Sequence, residues 1–188
     1  MSLPPIPPWD ALHPIIIHFP IGLLLVAPMP IILGLIWHRQ SQGLFFAALA
    51  LMVLGTISAF IAVATGEAAG QLAPRTPAIN PVLERHEELA DTTRIVFTVL
   101  TAIFAVLVVA PLFLRRELTR LPQAFLHIAF LVFYMGGALV LVNTGHLGGL
   151  LVHEHGVRAL LPASFSAFPG AGAPPEADRG RSAHEGDD

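Results

Sequence analysis

Leu12-His13-Pro14-Ile15-Ile16-Ile17-His18-Phe19-Pro20-Ile21-Gly22 opens the first of four long apolar runs, and its reading decides the fold. The stretch is apolar enough to enter a bilayer, yet it carries two histidines and two prolines. An ionisable group in a membrane segment is costly, so its presence points to a role beyond packing. The other histidines and glutamates can then be sorted by whether they end on the same side of the membrane as His18.

Composition supports the membrane reading. Hydrophobic residues make up 54% of the chain and charged residues only 12%, with a mean hydropathy of +0.70. Soluble domains carry about 25% charged residues. A core of 188 residues cannot hide this much apolar surface, so an integral membrane protein is expected. There is no cysteine, which excludes disulfides, thiolate metal sites, iron–sulfur ligation and covalent haem attachment. All the basic residues are arginine, and a net charge of −3 gives no footprint for nucleic acid. Met1 to Asp10 lacks a basic n-region, so the first apolar run is expected to be retained as a transmembrane helix.

Four runs have the roughly 20 residues needed to span a bilayer: 14–37, 43–65, 95–114 and 125–143. The expected fold is all-α, an integral membrane four-helix bundle over 1–161 with a disordered polar tail over 162–188. Pro14 suits a first helical turn, whereas Pro20, Pro28 and Pro30 should bend the first span. Gly55, Ala59, Ala62 and Gly66 form a small-residue stripe on the second span that allows another backbone to approach closely. That span is expected to end at Thr65-Gly66-Glu67, followed by a surface loop over 68–81. The polar section 82–91 should run without a break into the third span, which places His86 about 13 Å before Ile95.

Arg39, Arg115, Arg116 and Arg120 crowd the two short connections, whereas the N-terminus has no arginine. The positive-inside rule then puts both short loops in the cytoplasm and both termini in the periplasm of a bacterial inner membrane. His13, His18, Glu67, His86, Glu87, His146, His153, Glu154 and His155 all fall toward the periplasmic face. His38 and His127 fall at the opposite interface, and His184 falls in the tail.

Spacing refines the cluster. His13 and His18, if both helical, stand about 140° apart around the axis and cannot share one small ion. His18, one turn deep, is the expected buried ligand, and His146 at the end of the fourth span can meet it across the bundle. Two imidazoles from facing helices suit the iron of a b-type haem, with His13 and His86 as further candidates. The alternative is a compact zinc or copper site that adds Glu67 and His86 to His18 and His146. In His153-Glu154-His155-Gly156 an extended conformation would let His153 and His155 chelate one ion. There is no HExxH, phosphate-binding loop, dinucleotide fingerprint or nucleophile beside a base.

The stretches 12–25 (LHPIIIHFPIGLLL), 64–69 (ATGEAA), 84–90 (ERHEELA) and 145–157 (GHLGGLLVHEHGV) resemble those of a bacterial membrane family, the domain-of-unknown-function family 2231. The resemblance implies four helices in the inner membrane and, in some relatives, association with redox proteins such as Rieske-type domains. It implies no established activity. Where relatives place an aromatic before Glu154-His155-Gly156, this chain has His153.

The sequence therefore leads to a membrane protein that binds haem or a metal ion in membrane electron transfer, rather than an enzyme on its own. A structural or accessory subunit of a larger membrane complex is the alternative. A metal-ion permease is a third reading, and it lacks the mid-membrane polar residues such a protein needs.

Overall fold

The computed structural model describes residues 7–114 and 120–157, and these form helices and short connections without a strand. The loop arginines Arg115 and Arg116 and the tail over 162–188 lie outside the described residues. Among the described residues, four helices are long and apolar enough to cross a membrane.

The first is built from pieces. A 3-10 turn over Trp9–Leu12 leads into α1 (His13–Ile16), α2 (His18–Val26) and α3 (Pro28–Ile36). The breaks at Ile17 and Ala27 each fall three residues before a proline, Pro20 and Pro30, and both residues keep right-handed helical angles. A proline has no N–H and strips the carbonyl four residues earlier of its partner. Pro28 does this to Leu24, and the chain's one tyrosine answers it: Tyr134 Oη donates to Leu24 O at 2.6 Å, fully buried. A freed carbonyl in a membrane helix needs such a partner.

The other three helices are continuous: α4 (Ser41–Leu72), α5 (Asn80–Leu114) and α6 (Arg120–His153). The first helix packs along α4, α4 along α5 and α5 along α6, while α2 and α3 also reach α6 and close the bundle. Neighbouring helices run antiparallel, so both described ends of the chain emerge at one end. The core is aliphatic and aromatic, with Leu24, Ile31 and Met52 packed among Phe97, Phe104, Phe130 and Tyr134. The outside is equally apolar: Val132 is 69% exposed and Phe133 73%. Such a surface belongs in a lipid bilayer.

The small-residue stripe does face protein. Gly55, Ala59 and Ala62 are buried, and a Cβ on Gly55 would stand 2.7 Å from Leu24 of α2.

Two helix ends differ from the sequence expectation. The second span does not stop at Glu67 but continues to Leu72, and the fourth does not stop near His146 but continues to His153. Helices of 32 to 35 residues run about 50 Å, well beyond a hydrocarbon layer of about 30 Å. The excess persists because it packs outside the apolar spans. Gly70 of α4 lets Glu87 approach, and Ile79, Leu83 and Leu151 form a small second core. Arg75 donates to Gly70 O at 3.1 Å and satisfies a carbonyl at the end of α4.

The segment after the fourth span is also not extended. His153 is helical, and Gly156, at φ 66°, closes the helix, with Val157 N–H donating to Leu151 O at 2.9 Å.

Candidate functional site

Two histidines enter the bundle at its protruding end. His13 begins α1, where the 3-10 turn and Pro14 set the entry of the chain. Its Nδ1–H donates to Ala62 O of α4 at 2.9 Å, with Thr65 Oγ1 at 3.3 Å. His86, on the second turn of α5, repeats the arrangement: its Nδ1–H donates to Thr144 O of α6 at 3.0 Å. A carbonyl accepts only, so the proton sits on Nδ1 in both rings, and the lone pair is on Nε2. Both imidazoles are half-buried.

The resting places of the rings match as well. Each lies on a glycine one turn beyond the carbonyl it bonds. A Cβ on Gly66 would stand 2.8 Å from His13 Cε1, and one on Gly148 would stand 3.1 Å from His86 Cε1. At Gly66 only a residue without a side chain lets the ring lie this close to the helix backbone, and at Gly148 a side chain would crowd it.

Threonines brace both sides. Thr65 Oγ1 lies 3.0 Å from Ala62 O, the carbonyl that holds His13. Thr144 Oγ1 is 2.9 Å from both Thr93 Oγ1 and Val140 O, which ties α5 to α6 beside His86. Thr65, Thr93 and Thr144 are all buried. These residues were not singled out from sequence, although a signal existed. Val63-Ala64-Thr65-Gly66 with Gly70 and Val142-Asn143-Thr144-Gly145 with Gly149 repeat one pattern, each on the second helix of a helical pair.

The remaining candidates are placed differently. His18 is exposed on the outer face of α2, not buried one turn deep, because the inward position of the entering chain is taken by His13. His146 is exposed on α6 and Glu67 is exposed on α4. The first and fourth spans do meet at this level: a Cβ on Gly145 would touch Ile21 at 4.0 Å. His153 is exposed and His155 half-buried. The capped helix end does not give the two side chains the common direction expected of an extended segment. Among the described residues, no three His, Asp or Glu side chains come together as a metal-ligand set.

His127 lies toward the other end and is buried. Its ring stacks on Phe45 with centroids 4.1 Å apart, and its Nδ1–H donates to Gln123 O at 2.8 Å.

A family model described as a predicted membrane protein, DUF2231, matches residues 9–160. No curated protein and no solved structure matches the chain.

Proposed function

From the premise that the chain belongs to the DUF2231 family of predicted membrane proteins, we propose that it is a redox module of the bacterial inner membrane. In this reading it holds one b-type haem iron between His13 and His86. The observation that carries it is the matched pair of imidazoles, each with Nδ1–H fixed by a backbone carbonyl and Nε2 left with its lone pair. Metal-ligating histidines are held in this way: the second ring nitrogen bonds a carbonyl, which fixes tautomer and orientation. Two imidazoles are also the number that a haem iron needs, because the porphyrin supplies the other four nitrogens. A bare zinc ion asks for three or four protein donors.

Haem, when bound, supplies one-electron chemistry. The chain's part is to aim two nitrogens, keep the rings from rotating, and set the pair at the border of the apolar layer. Both termini, and this end of the bundle, face the periplasm in this reading, where a soluble or membrane-attached redox protein can approach. The test is a reduced-minus-oxidised absorption spectrum of protein purified with haem supplied. A haem band is expected in the wild type and in His18→Ala and His146→Ala, and its loss in His13→Ala and in His86→Ala. A band that survives in the last two refutes this site.

One feature favours a second reading. The His13 bond joins the first helix to α4, and the His86 bond joins α5 to α6. The histidines then fasten helix pairs in an accessory subunit of a larger membrane complex. A colourless wild type whose two histidine variants unfold early would establish it.

A further inference from the structure

The outer seam between α4 and α5 holds an apolar groove of about 260 Å³. Thr56, Thr101 and Ala105 form its floor, Ile57 and Phe60 rise on one side, and Thr98 and Ala102 stand on the other. Its hydroxyl groups are engaged internally. Thr98 Oγ1–H donates to Arg94 O at 2.7 Å, and Thr56 and Thr101 bond each other at 2.8 Å. The groove therefore offers a ligand shape and apolar contact.

An ion pair stands at its mouth. Arg94 precedes the apolar run of α5 and lies one turn above Thr98. Its guanidinium sits over the Phe60 ring, 5.5 Å from the centroid, and pairs with Asp91 at 2.8 Å. The side chain is still about a third exposed. A guanidinium has five N–H donors, and one carboxylate oxygen leaves most of them free. An apolar groove with a held arginine beside the start of the apolar run suits an amphiphile, with a chain below and an anion above.

We propose that the α4–α5 groove is a binding site for an anionic phospholipid, with one acyl chain over Thr101, Ala102 and Ala105 and the phosphate on Arg94. Asp91 and Phe60 hold the guanidinium in place, so little side-chain entropy is lost on binding. The proposal does not depend on the histidine pair, which lies at the bundle interior.

The experiment is native mass spectrometry of detergent-purified protein after equilibration with phosphatidylglycerol or phosphatidylcholine of the same chains. Wild type should retain phosphatidylglycerol about tenfold more strongly, the ratio expected of one charge-assisted contact. Arg94→Gln should erase that preference. Ala102→Leu fills the groove from the lipid side without entering the core, and it should lower retention of both lipids. Equal retention of the two lipids by wild type, or unchanged retention in Ala102→Leu, overturns the site. So does a wild-type dimer that Ala102→Leu splits while lipid retention stays constant, because the groove is then a seam between two copies.

Discussion

An imidazole held at Nδ1 by a helix carbonyl cannot spin about its χ angles without breaking that bond, so the direction of Nε2 is set by the backbone of another helix. His13 and His86 are both held this way, and each depends on a glycine beneath the ring. That dependence is testable without touching either histidine. Gly66→Ala puts a methyl 2.8 Å from His13 Cε1, too close for the ring to stay. The bond to Ala62 O should be lost, at about 1 kcal/mol of stability. Gly148→Ala, at 3.1 Å, asks His86 to yield only slightly and should cost less. Thermal unfolding in detergent gives the order, and histidine nitrogen shifts show whether the ring has left its carbonyl. If Gly66→Ala is as stable as wild type with His13 still bonded, the ring is not seated on the glycine.

Among the helices, the first is the one that needs help. Three prolines interrupt it, and Tyr134 reaches from α6 to cover the carbonyl that Pro28 leaves open. Tyr134→Phe keeps the ring packed on Phe97 and Phe130 but leaves Leu24 O bare, and it should cost about 1 kcal/mol. Pro28→Ala restores an N–H for that carbonyl, so Tyr134→Phe should cost measurably less in that background. Additive losses across the double-mutant cycle would show that the hydroxyl is not compensating for the proline. The neighbouring contact is steric. Gly55→Leu and Ala59→Leu should destabilise the bundle more than Leu51→Ala, because the stripe on α4 lies directly against α2, with a Gly55 Cβ only 2.7 Å from Leu24. If thermal stability in detergent is the same for both enlargements as for wild type, α2 and α4 are not packed through these residues.

At the scale of the whole molecule, the bundle was legible in the four apolar runs, whose short first and third connections make antiparallel neighbours. The helix ends were not, because Gly70 with Glu87 and Leu151 with Ile79 are contacts between distant segments that continue helices beyond the apolar layer. The end of the bundle carrying the histidines could be read, and their rotation could not. Counting residues gives His18 its depth, but whether His13 or His18 turns inward depends on a helix broken at Ile17, which no fixed period describes. The repeated Val-x-Thr-Gly pattern marks the two helices that receive the imidazoles, without choosing between His13 and His18. What remains is which way the molecule faces. Arg39 lies in the short connection before α4 and Arg120 opens α6, both at the end away from the histidines, and in the sequence Arg115 and Arg116 fall between the third and fourth apolar runs. Positive residues in short loops resist translocation. A reporter fused after Arg39 should therefore read cytoplasmic, and one fused after Val157 should read periplasmic. Arg85 and Arg94 at the histidine end are each paired with an acid, Glu88 and Asp91, on the polar first part of α5. Replacing Arg39, Arg115, Arg116 and Arg120 with glutamine should weaken the preference and yield a mixed population of fusions. A wild-type reporter after Val157 that reads cytoplasmic would turn the molecule over, and the imidazole pair would then serve a cytoplasmic donor or acceptor.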